Sequence, residues 1–338
     1  MKKRLVVTSV AACAGLLAAD FPSAEITNGQ IRAKIYLPDE HAGYYRGTRF
    51  DWSGVVYSLQ YKGHNFYGPW VQRMDPKVRD FVYEGPDIVG GPCSSTAGPV
   101  DEFGEVGWEA AKPGGGFIKI GVGVLKKGTE DRYDNYHLYE IVDPGKRTIE
   151  KHRDSIAFTQ EIADSASGYG YLYRKVLRLV KGKPEMVLEH HLKNTGTQPI
   201  RTTVYNHNFL VLDNQPPGAP LVITVPFQIK TGRPPNKELA EIRGNQVVYL
   251  KTLAGRDVVT APLQGFGDTP EDNQIRIENS KVGVGMKIVS DRPLARENLW
   301  SIRSVVAMEP FVAIAIEPGA EFQWNSTYSY YTLPAGSQ

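Results

Sequence analysis

The chain has 338 residues and a formal net charge of +2, with 41% hydrophobic and 22% charged residues. This length is enough for one large domain or two smaller ones, and the composition is that of an ordinary globular protein. A net charge so close to zero argues against nucleic acid or an anionic membrane surface as the main partner.

The first residues have the pattern of an export signal. A basic cluster at residues 2–4 precedes an apolar stretch over 5–19, and small residues up to Ala24 provide cleavage sites. We therefore predict a signal peptide over residues 1–24 and a periplasmic or secreted protein. The sequence Val-Ala-Ala-Cys ending at Cys13 also resembles a bacterial lipobox, in which this cysteine would carry a lipid anchor. The apolar run is shorter than the roughly 20 residues that a membrane span needs.

The rest of the chain predicts an all-β structure. Short runs of alternating polar and apolar residues recur between turn residues, and no long helical period appears. No linker or change of composition divides these runs, so residues 25–338 are predicted to form a single domain, an extended β-sandwich. The predicted strands cover residues 30–37, 55–61, 116–125, 137–142, 156–162, 171–180, 186–192, 202–210, 246–251, 274–278, 283–289, 311–317 and 321–333.

Two places in the N-terminal third carry charged residues suited to a binding site. Arg49 and Asp51 are predicted to lie on one face of a strand, where a guanidinium and a carboxylate suit the recognition of hydroxyl or carboxylate groups. A surface ion pair is an equal alternative. The segment 76–113 is rich in Gly and Pro and is predicted to be a long loop over a binding face. Glu102 in this loop would supply a carboxylate to the site, although acidic residues in loops are most often solvated.

The stretch 171–210 is the most informative part of the sequence. It predicts two strands joined by a tight turn whose glycine supplies the positive φ that the turn needs, followed by a third strand. Because side chains alternate along a strand, Tyr205 and His207 point to one face of the third strand, and Asn206 and Asn208 point to the other. A histidine among aromatic and amide side chains at a strand end is a candidate for chemistry.

This stretch resembles the aldose 1-epimerase, or galactose mutarotase-like, superfamily. Proteins of that family carry a strand–turn–strand, an Asn-Thr/Gly turn, a proline and then an Asn-His before aromatic residues; residues 194–196, Pro199 and 206–209 match this pattern. Residues 47–59 are similar to the opening hairpin of the family, and 316–328 to its closing turn and last strand. The resemblance implies a galactose mutarotase-like β-supersandwich of antiparallel strands, with a mono- or oligosaccharide bound on its concave face.

The resemblance also implies a reaction. In mutarotases, a histidine after the Asn and a glutamate near the C-terminus perform the chemistry, and His207 and Glu309 match them. One group takes the proton of the C1 hydroxyl while the other protonates the ring oxygen, so that the ring opens and recloses on its other face. We expect His207 to be the acid and Glu309 the base, with no metal or other cofactor. The residues expected to bind the substrate are Arg49, Asp51, Glu102, Tyr205, Asn206 and Asn208.

Two other readings of the same fold stay open. The chain lacks the Asn-Arg pair and the first active-site histidine that mutarotases carry near the end of the N-terminal third. The architecture also hosts polysaccharide lyases that act on uronate sugars, for which Arg49, His207 and Tyr205 would supply the required groups. A non-catalytic carbohydrate-binding protein would need only the aromatic and amide lining, and the fold alone does not choose among these functions.

Overall fold

A computed structural model describes residues 21–334. The described chain is built almost entirely of β-strands, as the alternating sequence pattern predicted. Most of the predicted leader, including the cysteine of the lipobox-like sequence, lies outside the described residues. The first strand begins at Ser23, so the predicted end of the leader at Ala24 overlaps it.

The strands of the described part, in chain order, are β1 (Ser23–Thr27), β2 (Ile31–Tyr36), β3 (Val55–Tyr61), β4 (His64–Asn65), β5 (Arg73–Met74), β6 (Phe81–Glu84), β7 (Asp87–Gly90), β8 (Gly98–Phe103), β9 (Gly116–Lys119), β10 (Gly123–Lys126), β11 (Ile141–Asp143), β12 (Lys146–Lys151), β13 (Ser155–Asp164), β14 (Tyr169–Leu179), β15 (Glu185–Asn194), β16 (Ile200–Phe209), β17 (Leu221–Thr224), β18 (Ala240–Arg243), β19 (Gln246–Tyr249), β20 (Val258–Leu263), β21 (Gln274–Asn279), β22 (Val284–Ser290), β23 (Arg296–Ile302), β24 (Val305–Ile316) and β25 (Glu321–Thr332). Two short 3-10 helices cover Leu212–Asn214 and Pro270–Asp272.

Two large sheets form the sandwich. Ten strands make one sheet in the order β12-β13-β14-β15-β25-β22-β21-β17-β19-β18, and five make the other in the order β20-β23-β24-β16-β8. Their inner faces share a large apolar core, and Tyr328 of β25 donates a 2.8 Å hydrogen bond across it to Asn208 of β16. Smaller sheets, β1-β2-β3-β4, β11-β10-β9 and β5-β7-β6, complete the described domain. The predicted all-β sandwich is confirmed.

Two local predictions were wrong. The segment predicted as a long loop contains β6, β7 and β8, and every residue of β8 is buried. Its sequence, GPVDEF, looks like a loop because it holds a proline and two acidic residues, but both carboxylates are paired inside the protein. Strand β24 begins six residues before its predicted start, and Pro310 lies within it, so Glu309 is in the middle of a strand. Prolines are usually confined to edges, starts and bulges of strands, which explains the error.

A buried cluster of charges joins the two sheets. The Lys175 ammonium group on β14 lies 2.5 Å from Asp101 of β8 and 3.5 Å from Asp51, and all three side chains are fully buried. His190 of β15 places its Nε2 3.1 Å from Asp101, and the Asn206 amide of β16 donates to the other oxygen of that carboxylate at 2.6 Å. Because these groups satisfy one another, the charges can lie in the interior of the protein.

We predict that Lys175→Met strongly destabilises the protein. Removing the ammonium group leaves two carboxylates buried together without a cation, and breaking a buried ion pair in this way typically costs about 3–5 kcal/mol. Urea unfolding of the variant and the wild type would measure the loss in free energy of unfolding.

The neighbouring residue provides the matched control. Arg174 points outward, with 46% of its side chain exposed and its nearest carboxylate, Glu150, at 3.9 Å. Arg174→Met should therefore change stability by less than about 1 kcal/mol. Equal effects of the Arg174→Met and Lys175→Met substitutions would show that the cluster does not stabilise the sandwich.

The buried carboxyl group of Glu297 has no hydrogen-bond partner in the described part of the chain. Glu297 on β23 is 1% exposed, and neither of its oxygens has a hydrogen-bond partner among the described residues. Burial raises the pKa of this carboxyl from 4.5 to about 8, since the charged form cannot be solvated. The Glu297 side chain is therefore mostly protonated at neutral pH.

This carboxyl predicts that stability depends on pH. Below about pH 4.5 it is protonated in both the folded and the unfolded chain; between about 4.5 and 8 only the unfolded chain loses the proton. Stability should therefore fall as pH rises through this range, by on the order of 3–5 kcal/mol in full. Glu297→Gln should remove this part of the slope in urea unfolding at a series of pH values. An unchanged slope in Glu297→Gln would contradict the prediction, and Glu317→Gln, on the exposed surface, serves as the control.

Candidate active site

The two residues predicted to be catalytic lie side by side. His207 on β16 and Glu309 on β24 belong to neighbouring strands of the five-stranded sheet, and His207 Nε2 is 3.3 Å from Glu309 Oε1. Asn298 on β23 donates a hydrogen bond of 3.2 Å to the other carboxylate oxygen. The imidazole ring stacks on Phe209 with centroids 3.7 Å apart, and its Nδ1 has no hydrogen-bond partner within the described chain.

A second group of side chains stands next to this pair. Arg49 Nε donates to Glu102 Oε2 at 2.7 Å, and its terminal nitrogen donates to the Tyr205 hydroxyl at 3.3 Å. That hydroxyl in turn donates to the same Glu102 oxygen. Tyr205 and Glu102 are direct partners in the β8–β16 register, so the ladder itself brings their side chains together.

Four of these side chains, those of Glu102, Tyr205, Asn298 and Glu309, line a small polar cavity of about 340 Å³ together with other residues. Arg296 lies at this cavity too, with its guanidinium stacked 3.6 Å from the centre of the Phe311 ring. His207 does not line the cavity. Its ring contacts Glu309 and packs between the rings of Phe50 and Phe209, and only 5% of the side chain is exposed.

Burial moves the two pKa values of the pair in opposite directions. It lowers the pKa of His207 well below the usual range, and the positive charge of Arg49 lowers it further. It raises the pKa of Glu309 to about 7; the charge of Glu102 adds to this effect, while the hydrogen bond from Asn298 and the charge of Arg49 oppose it. Near neutral pH, His207 is therefore uncharged, and Glu309 is divided between its two protonation states.

Three of the residues expected to bind substrate lie elsewhere. Asn206 and Asn208 point into the space between the sheets, on the side of β16 opposite His207, where the Asn208 amide donates to the Met308 carbonyl at 2.9 Å. Asp51 belongs to the buried charge cluster. The prediction that Arg49 and Asp51 share one face of a strand was wrong, because this segment is irregular and sends the two side chains to different groups.

Arg296 and Asn298 line the cavity, but the sequence analysis did not predict them as site residues. Strand β23 was not predicted, although its sequence, RENLWSI, alternates in a way that a β-strand allows. That alternation would have placed Arg296, Asn298 and Trp300 on one face. The stretch reads as part of a charged connection because its first three residues are polar.

Within residues 21–334, no three His, Cys, Asp or Glu side chains lie close enough together to form a metal site. The adjacent histidines of β15 face opposite sides of the sheet: His190 contacts Asp101 in the interior, whereas His191 is 3.0 Å from Glu321 on the outer surface. No helix in the described part of the chain has the length and apolarity to cross a bilayer.

Comparison with solved structures shows the fold. A protein from Synechocystis sp. PCC 6803 aligns with a TM-score of 0.53 at 11% identity, over 96% of this chain and all of that one. An aldose epimerase homologue from C. elegans gives 0.52 at 12% identity, over 92% and 99%. A galactose mutarotase-like protein from Clostridium acetobutylicum gives 0.51 at 8% identity, over 91% and 95%. No family model and no curated protein matches the sequence. The chain thus has the fold of galactose mutarotase-like proteins, with a divergent sequence.

The protonation state of His207 is open to direct measurement. A free imidazole is half protonated near pH 6.5, whereas we expect His207 to remain neutral there because its ring is buried and faces Arg49. Nitrogen NMR of the labelled protein, with the resonances assigned by comparison with His207→Gln, would report its charge between pH 5 and 8. Half protonation close to pH 6.5 would contradict the expected effect of burial.

Proposed function

We propose that this protein is an exported enzyme of the aldose 1-epimerase type, which interconverts the anomers of a sugar by opening and reclosing its ring. One observation carries the proposal: a buried carboxyl group, Glu309, whose pKa is raised to about 7, lines the same polar cavity as a second carboxylate that is held by an arginine. The fold shared with aldose epimerase homologues supports a carbohydrate ligand.

The positions of these groups favour one distribution of roles. Anomer exchange needs an acid at the ring oxygen and a base at the C1 hydroxyl. Glu309, with its pKa raised to about 7, carries a proton in a large fraction of molecules near neutral pH and lines the cavity, which suits the acid. Glu102 lies at the same cavity in a salt bridge with Arg49, which suits the base. Two carboxyl groups in such different environments can act as acid and base.

The proposed step balances without an outside reactant. Glu309 gives its proton to the ring oxygen, the bond from that oxygen to C1 breaks, and C1 becomes a carbonyl as Glu102 takes the proton of its hydroxyl. After C1 rotates, the ring oxygen attacks the other face of the carbonyl and both protons return. His207, which the sequence suggested as the acid, instead keeps Glu309 in position through its Nε2, 3.3 Å away.

The same arrangement weakens the lyase alternative. The lyase predicted from the sequence used Arg49 to neutralise the sugar carboxylate, but that guanidinium already binds Glu102, and Tyr205 donates to the same carboxylate; Arg296 is the cation that this reaction would have to use instead. A non-catalytic sugar-binding protein stays the second candidate, since the aromatic packing around the buried His207 is that of a structural group. The export prediction rests on the sequence alone and forms part of this proposal.

We predict that Glu309→Gln lowers the rate of anomer interconversion by about 10²–10⁴-fold, the usual contribution of a general acid or base. Polarimetry or anomeric proton NMR on a panel of free hexoses and pentoses would measure the rate. Glu105→Gln, which changes another carboxyl at the same cavity, is the control and should retain most of the activity. If the wild type does not interconvert the anomers of any sugar faster than buffer alone, the proposal is wrong. The absorbance of unsaturated products formed from uronate polymers then tests the lyase alternative.

The pH dependence distinguishes the roles of Glu309. As an acid with a pKa of about 7, it is active in its protonated form, so kcat should fall about tenfold for each pH unit above that value. As a base, the same residue would give a rate that falls below pH 7. A pH–rate profile between pH 5 and 9 separates these cases.

A further inference from the structure

A second and larger cavity lies beside the proposed active site. It has a volume of about 1050 Å³ and is lined by the aromatic rings of Tyr36, Tyr44, Tyr45, Trp52 and Tyr57, together with Phe21 at its N-terminal side. We name this cavity the tyrosine cleft. Its size is at the upper end of the range for small-molecule sites in proteins.

The aromatic rings of the tyrosine cleft form one connected surface. Tyr36 and Tyr44 are stacked with their centroids 4.4 Å apart, and Tyr57 contacts both rings, at 4.8 and 5.8 Å. Tyr44 and Tyr57 are only half-buried. The two most exposed apolar side chains at the rim, Met74 and Leu138, are 49% and 50% exposed. An exposed apolar surface that is rimmed by polar groups usually marks a binding site.

One wall of the cleft is held in an unusual backbone conformation. Asn214, which lines the cleft, and its neighbour Asp213 have φ values of 54° and 48°, in the left-handed region. Asp213 is fixed there by His64 Nδ1 at 2.7 Å and by the backbone N–H of Asn65 at 2.7 Å. Backbone strain of this kind persists only where the surroundings hold it, and it is common at binding sites.

The cleft and the small cavity share two chain segments. Residues 135–138 contribute Asn135 to the small cavity and Leu138 to the cleft. Likewise, Arg46 lines the cleft, whereas Arg49, three residues later, binds Glu102 at the small cavity. Because three residues span at most about 10 Å, the walls of the two cavities approach each other at these segments.

From these observations we infer that the tyrosine cleft binds further units of an oligosaccharide whose reducing end occupies the small cavity. The apolar face of a pyranose ring packs against aromatic rings, and its hydroxyls suit a polar rim. The rim carries charges of both signs, including Glu40, Arg46 and Arg73, so it favours no strongly charged ligand. The inference rests on the proposed function and names its substrate class: an oligosaccharide rather than a free monosaccharide.

Isothermal titration tests the inference with neutral gluco- and galacto-oligosaccharides of one to six units. We expect affinity to rise with length, by on the order of tenfold between one unit and four, as successive rings reach the tyrosines. Tyr44→Ala and Tyr57→Ala should abolish this gain while leaving the affinity for the monosaccharide unchanged. Because Phe21 lies within the predicted leader, the test does not depend on it.

Controls separate the cleft from general damage. Met74→Asp and Leu138→Asp change only exposed rim positions, so they should reduce the gain with length even if a tyrosine variant folds poorly. Tyr331→Ala removes a partly buried tyrosine of β25 in the ten-stranded sheet, outside the cleft. This variant should keep the gain in affinity with sugar length.

The two proposals fail in different ways. Anomer interconversion of monosaccharides, with no increase of affinity for longer sugars, would overturn the cleft assignment and leave the proposed reaction standing. Length-dependent binding that the Tyr44 and Tyr57 variants remove, without interconversion of any sugar, would support the cleft and overturn the reaction. A gain with length that survives in all four cleft variants would place the extended ligand elsewhere and overturn the inference.

Discussion

The geometry of the candidate active site depends on the buried ammonium group of Lys175, which is not itself part of the site. Lys175 neutralises carboxylates between the two sheets, and two of the strands that carry site residues each send a neighbouring side chain into its cluster. Asp101 precedes Glu102 on β8, and Asn206 precedes His207 on β16. Because consecutive side chains on a strand face opposite ways, anchoring one on the inside fixes the direction of the next on the outside. The buried charge cluster on one face of the sheet thus fixes the direction of the site residues on the opposite face.

Charge pairing also makes the two carboxyl groups of the cavity different. Glu102 has a guanidinium within 2.7 Å, whereas Glu309 has an amide and an uncharged imidazole as its neighbours. In a poorly solvated site, a carboxylate is stable only where a cation or several donors face it. Glu102 is thus paired with a cation, whereas burial raises the pKa of Glu309 to about 7. Asymmetry of this kind lets two residues of similar type perform opposite halves of a proton exchange.

Much of this arrangement could be predicted from the sequence where the pattern was local. The stretch 171–210 forms the predicted strands because its alternation and its turn agree, and it placed His207 opposite Asn206 and Asn208 correctly. Among the strands that were not predicted, β8 is the one whose two acidic residues are both buried by partners distant in the chain. Nothing within β8 shows that Lys175, more than 70 positions away, will neutralise it. Pairing of charges between residues that are distant in the chain leaves no periodic pattern in the sequence.

The divergent sequence has a physical consequence for function. Structures that share this fold are only 8–12% identical to the chain, so a similar backbone is compatible with almost complete replacement of side chains. The histidine that mutarotases carry in the N-terminal third has no counterpart in the matching motif, and the cavity is instead lined by Glu102, which is paired with Arg49. Such a pair presents a fixed carboxylate rather than a titrating imidazole. In the proposed reaction, the proton exchange therefore depends on Glu309, whose pKa is raised by burial to near neutral pH, and a sugar substrate would place its ring oxygen against that carboxyl.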